Sequence, residues 1–333
     1  MSFVLDSEDW NLTHLDKNEV LEKIESLLDT LDRIAIREEK IWIGENFQSI
    51  KMHGDLAIWD LFSPYSGLDL PQEAVQELAG HLNKIAYYES EEVWPAGFED
   101  LDQISVENGP PSENLDILWA LSSVRNRNAC ACIGAFKKGK YSVASRGSNT
   151  YLHWIQDNND QINFWRDAIE VQGDSPSMLQ ELSPHAYPDL YFPSSVWRGC
   201  NSFTGGYHSN SAELRRYLEI FNDFGNWVFT APPPAEIPTD SVDSEKSSFE
   251  PTSKLIERRF TLLNITVTPE NPNVYHDNTC RRARTLNIQG REIYCEWHGK
   301  IQGRINRVHI HRPIPESQDK LIIAFITDHL PLP

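Results

Sequence analysis

Residues 291–329 read REIYCEWHGKIQGRINRVHIHRPIPESQDKLIIAFITDH, and the reading of the C-terminal fold starts from them. Four of the chain's 11 histidines fall here, His298, His309, His311 and His329, interleaved with Arg291, Lys300, Arg304, Arg307 and Arg312. Apolar alternation predicts strands over 291–298, 305–311 and 320–327, and a further strand over 260–267, with DNTCRRART between them as a short helix or loop. The connections are short, so an antiparallel meander with the first strand added is the simplest arrangement. A period of two places Val308 and Ile310 on a buried side, and Ile305, Arg307, His309 and His311 on the side facing away from it. Glu296 and His298 of the preceding strand then lie beside Arg307 and His309, and His329 closes the last strand.

Such a face carries the inventory for cutting RNA without a metal. That reaction needs a base for the ribose 2′-hydroxyl, an acid for the leaving 5′-oxygen and fixed positive charge for the phosphorane; histidine serves the first two and arginine or lysine the third. The competing reading is a solvated polar sheet face. Metal binding is a further alternative. Gly303, His309, His311 and Glu316 follow the spacing of the first half of a cupin metal motif, but no second histidine motif follows them. A non-cupin site using His298 or His329 stays open, while no metal and no cofactor is the expectation.

The RINRVHIHR…DKLIIAFITDH run is similar to the basic strand, turn and apolar strand that close RelE-type endoribonuclease toxins, over about residues 255–333. The resemblance implies a small RelE-like antiparallel domain acting on RNA or ribosome-bound mRNA. It also implies Lys300, Arg304 and Arg307 as phosphate or transition-state contacts, with Arg291 and Arg312 among the RNA-binding set. His298, His309, His311 and His329 are then the acid/base candidates. Many such toxins use Lys, Arg and Tyr where this chain has histidine. The whole chain also resembles uncharacterised bacterial proteins with a similar EWH…HLP segment, with a defence system as the expected setting, which implies no activity.

Upstream, composition changes sharply. Net charge is −19, yet residues 254–333 carry +4 and the preceding residues −23. General nucleic-acid binding by the whole surface is thereby excluded, and an acidic body that senses, binds a protein partner or restrains a basic domain is expected. APPPAEIPTDSVDSEKSSFEPTS, residues 231–253, reads as an acidic Pro/Ser-rich linker. The other expected regions are 1–108 and 109–230, as two regions or one body, and 254–333, an α+β chain in all. GPPSEN at 109–114 marks the inner break.

Within the body, Asp16 and Glu19 form a capping box ahead of Val20, Leu21, Ile24, Leu27, Leu28 and Leu31, which predicts an amphipathic helix. Further helices are expected at 74–88, along NNDQINFWRDAIEVQ, and at 211–224, the last ending at Gly225. Short strands and turns are expected over 41–62, and ACACIGAFKKGKYSVA predicts a hairpin turning at Lys137–Gly139. The aromatic loop around Tyr191 and Trp197 is a packed cover or a binding surface; the latter would make the protein a non-catalytic interaction subunit. Five scattered cysteines, no visible secretory signal and no membrane-length apolar run predict a cytoplasmic protein with reduced thiols.

Overall fold

The computed structural model describes residues 1–100, 103–146, 148–230, 250–303 and 305–333. The chain is α+β and forms two compact units, Met1–Gly173 and Asp174–Pro333. The boundary lies elsewhere than at 108 or 230, because the segment after Asp174 supplies elements to the C-terminal sheet. The expected linker falls outside the described residues up to position 249, and Thr252 already caps a helix.

The first unit runs β1 (Ser2–Leu5), α1 (Lys17–Ile36), β2 (Lys40–Ile43), α2 (Gln72–Leu82), β3 (Ala86–Tyr87), β4 (Ser105–Val106), α3 (Leu115–Arg125), β5 (Cys130–Ile133), β6 (Gly139–Ser145), β7 (Ser148–Ile155) and α4 (Asn158–Val171). Its seven-stranded sheet has the order β3-β2-β1-β5-β7-β6-β4, with β3, β2, β1, β5 and β7 parallel. The capping box opens α1: the Asp16 carboxylate accepts from the amides of Asn18 and Glu19, and Glu19 reaches back to the Asp16 amide. Its stripe buries Val20, Ile24, Leu27, Leu28 and Leu31, while Leu21 is only half-buried.

Three expectations fail here for identifiable reasons. The expected hairpin does not form: β5 pairs in parallel with β1 and β7, and the hairpin is β6 with β7. Buried on both sides, β5 is the continuous apolar strand typical of a parallel sheet. The helix expected over 74–88 ends at Leu82, and the following residues become the edge strand β3. GPPSEN is no boundary; Asn114 caps α3 within the first unit, its side chain accepting from the amides of Asp116 and Ile117.

The second unit runs α5 (Pro176–Ala186), β8 (Leu190–Tyr191), α6 (Ser211–Val228), α7 (Ser253–Leu262), β9 (Val267–Pro269), α8 (Pro272–His276), α9 (Asn278–Ala283), β10 (Thr285–Ile288), β11 (Arg291–Tyr294), β12 (Trp297–Gln302), β13 (Asn306–His311) and β14 (Leu321–Thr327). A five-stranded sheet has the order β8-β14-β13-β12-β9. The meander β12-β13-β14 is antiparallel, β9 joins β12 antiparallel, and β8 adds a parallel edge. The strand expected over 260–267 is instead the last turn of α7, a connecting turn and the first residue of β9, and the one expected over 291–298 divides into β11, paired with β10 in a separate hairpin, and the start of β12.

One face of the larger sheet packs on α6. A Cβ at Gly299 would stand 2.7 Å from the Tyr217 ring, so only glycine lets that ring lie on β12. Helix α6 also runs through Gly225, whose missing side chain admits Leu321 of β14. Its end is closed by the buried Arg259 of α7, which donates to the carbonyls of Trp227, Val228 and Thr230 at 3.0, 2.8 and 2.9 Å. The opposite face is covered as well: Ile288 and Ile293 of the β10–β11 hairpin join Cys295, Ile314, Ile322 and Ala324 in one apolar cluster. Tyr191 packs against this cluster, and Trp197 is buried, so the aromatic loop is a packed cover.

Candidate functional site

Covering both faces of the sheet overturns the expected solvent-facing row on β13. Arg307 is 7% exposed and His309 1%, as deeply placed as Val308 and Ile310 on the other side. The alternation was right in register but wrong in environment: His309 is enclosed by His298, Phe325 and Glu270, and Phe325 in turn packs against the apolar cluster that includes the β10–β11 hairpin. Ile305, expected to share that row, precedes the strand and is exposed.

The register does bring His298 directly opposite His309, and Lys300 opposite Arg307. The two histidine rings lie 5.5 Å apart, centre to centre, and His309 meets Phe325 edge-on at 6.2 Å. Between them comes Glu270, just beyond β9, whose amide is held by the Glu296 carbonyl at 2.7 Å. Its Oε1 lies 3.2 Å from Nδ1 of His298, 3.8 Å from Nδ1 of His309 and 2.8 Å from Nε of the buried Arg284. The sequence reading missed Glu270 and Arg284. Glu270 is the lone acid in NITVTPENPNVYH, and nothing local ties it to histidines so far along the chain.

Electrostatics in this cluster are set by burial. Burial alone would raise the Glu270 carboxyl, but the hydrogen bonds and charges of His298 and Arg284 outweigh it and hold the group near about 2. His309 is driven down to about 3, by burial first and then by the neighbouring His298, so it is a neutral imidazole. Neither of its ring nitrogens has a hydrogen-bond partner among the described residues. Burial also lowers the Arg307 guanidinium from its ordinary value.

His311 fares differently. It lines an open, polar cavity of about 340 Å³ together with Tyr294, Glu296, Arg312, Ser253 and Glu250. Its Nδ1 lies 2.8 Å from the Arg312 carbonyl, which can only accept; Nδ1 therefore carries the proton and Nε2 keeps its lone pair. Partial burial is the main reason that its pKa is lowered. Tyr294 is pushed up to about 12 by burial and then by Glu270, so its hydroxyl stays protonated. Arg312 is paired with Glu250 at 2.8 Å, and Arg291 with Glu316 at 2.8 Å.

No protein-family model, curated protein or solved structure matches this chain.

The remaining expected residues are dispersed. His329 is exposed, its Nδ1 2.8 Å from the Leu330 carbonyl, and it lies outside both the buried cluster and the cavity. Lys300 is half-buried on β12, and Arg304 lies outside the described residues. All five cysteines are free and buried. Among the described residues no helix is long and apolar enough to cross a membrane.

The first unit has a polar cluster of its own, at the carboxyl ends of β1 and β5 where the strand order reverses, the usual place for ligands in such sheets. Buried Asp6 accepts from Asn114 at 2.7 Å and Trp154 at 2.8 Å, and Lys137 bridges Asp6 and Asp9 at 3.1 and 2.8 Å. Asp116 accepts from Ser7 and Tyr88. These groups answer one another, so the cluster reads as a structural knot of the sheet.

Proposed function

We propose that the second unit is a ribonuclease acting by acid/base chemistry in the cavity of Tyr294, Glu296, His311 and Arg312, with a RelE-like division of labour. One observation carries the reading: His311, whose Nδ1 is hydrogen-bonded to the Arg312 carbonyl and whose Nε2 keeps its lone pair, lines an open polar cavity beside Arg312. Nε2 takes the proton of the ribose 2′-hydroxyl, and the 2′-oxygen attacks phosphorus. The bond to the 5′-oxygen breaks, leaving a 2′,3′-cyclic phosphate, and the proton taken up by His311 returns to the departing oxygen. Arg312, with Arg291 nearby, balances the charge on the phosphorane. The buried pair His298 and His309 is not needed at the scissile bond. An acidic first unit fits a restraining or partner-binding role for a cytoplasmic effector, and ribosome-bound mRNA is the substrate to try beside free RNA.

The test is cleavage of defined RNA and of ribosome-bound mRNA by the purified full-length protein. His311→Ala is expected to lower the rate by at least about 100-fold, the usual contribution of a general base, with an unchanged circular dichroism spectrum. Intact RNA in both assays with the wild-type protein ends the proposal.

A further inference from the structure

We propose that Glu270, His298 and His309 bind one divalent first-row transition ion of the zinc class, at a site separate from the cavity of His311. Three ligand atoms from distant parts of the chain, one carboxylate oxygen and two imidazole nitrogens, lie within 4.8 Å of one another. Their placement follows from the sheet: His298 and His309 are opposed in register on β12 and β13, and Glu270 leaves the adjacent β9.

A second observation is independent of that convergence. His309 is 1% exposed, yet neither ring nitrogen has a hydrogen-bond partner among the described residues, and Nδ1 stops 3.8 Å short of Glu270. Buried polar atoms are rarely left so, and one that is calls for an explanation such as an ion. A cation among the three ligand atoms uses a lone pair that otherwise has no acceptor role.

The donor set selects the ion. Two imidazoles and a carboxylate suit zinc, cobalt(II), iron(II) or manganese(II), whereas calcium and magnesium favour oxygen ligands. Arg284, 2.8 Å from Glu270, orients the carboxylate as outer partners of metal ligands do, and is itself fixed by the carbonyls of Cys280 and Pro331 at 3.2 and 3.0 Å. Its charge, and that of Arg307, oppose a cation and keep the affinity below that of an all-histidine site. The ion joins the end of β9 to β12 and β13, so its binding is coupled to the stability of the sheet. The group Asp32, Glu77 and His81 has no such second feature: both acids are exposed, and His81 already meets Asp32 at 3.0 Å.

The experiment uses full-length protein stripped by chelator and titrated with Zn²⁺ or Co²⁺. One equivalent per chain is expected, with visible d–d absorption for Co²⁺ that Zn²⁺ displaces, and a Zn²⁺-dependent rise in Tm that chelator reverses. His309→Ala and Glu270→Gln should abolish the Co²⁺ bands, whereas His311→Ala should keep them, so metal binding and RNA cleavage succeed or fail separately. Unaltered bands in a folded His309→Ala protein overturn the site. Should that variant not fold, the wild-type spectrum decides: no Co²⁺ bands, or binding of inorganic phosphate in place of either metal, equally overturns it.

Discussion

His309 and His311 sit two positions apart on one strand and meet opposite environments. The first is enclosed by Phe325, His298 and the arginines; the second borders a polar cavity and donates a hydrogen bond from Nδ1–H to a backbone carbonyl. As a base, His311 must be unprotonated, and burial places its pKa below the ordinary 6.5. The acid limb of kcat/KM for RNA cleavage should therefore fall below pH 6.5, with a flat profile through neutrality. A limb at or above 6.5 would remove His311 from the role of base. Asp116 gives a prediction of the other sign. Burial, opposed by its bonds from Ser7 and Tyr88, raises its carboxyl to about 6, so folding favours the protonated form. Its contribution to stability is full below the ordinary carboxylate range and is lost as pH rises toward 6. Asp116→Asn should remove this slope: relative to wild type, its Tm should improve between pH 4.5 and pH 6.5. A constant difference between the two proteins would refute the assignment.

Among the elements, the lead-in to α7 bears most directly on the cavity. Glu250 holds Arg312 in an ion pair that leaves both side chains more than half exposed. Such pairs contribute up to about 1 kcal/mol. Glu250→Ala should thus free Arg312 and tighten RNA binding by up to about 5-fold at low salt, measured by fluorescence anisotropy; no change would mean that the pair does not compete with phosphate. The turn at Val196–Ser202 is held more rigidly. A Cβ at Gly199 would fall 1.5 Å from the Ile326 carbonyl oxygen, and backbone cannot yield as a side chain tip can. Gly199→Ala should cost about 3 kcal/mol or more, seen as a large drop in Tm. Such elements also show what the sequence makes legible. Helix α1 is readable because its cap and stripe are local, and the shared face of His298 and His309 because strand alternation is local; their direct opposition comes from the register. The pairing of β5 was not readable, since its parallel neighbours are remote in the chain. Neither was the burial of Arg307 and His309, which depends on elements remote in the chain, nor Glu270, which only the folded sheet brings between the histidines.

At the scale of the whole molecule, the unit that carries the chemistry is larger than the basic segment that draws attention in the sequence. Strand β8, the Val196–Ser202 turn and helix α6 all precede the acidic segment, yet they complete the sheet that follows it. A fragment of residues 174–333 should fold cooperatively, whereas 254–333 should not, because it would expose the sheet face that Tyr217 and Phe221 cover. Far- and near-ultraviolet circular dichroism of both fragments checks this, and a native-like 254–333 would refute it. The position of β14 carries a kinetic consequence. It is the last strand in chain order but an interior one in space, paired at Leu321 with Leu190 across 131 residues of sequence. During synthesis, β8 and β13 emerge before the strand that belongs between them. Until then β13 waits with one edge open and β8 with no strand partner, so the nascent chain passes through a stage in which other strands can take that place, and the final closure is a slow, long-range event.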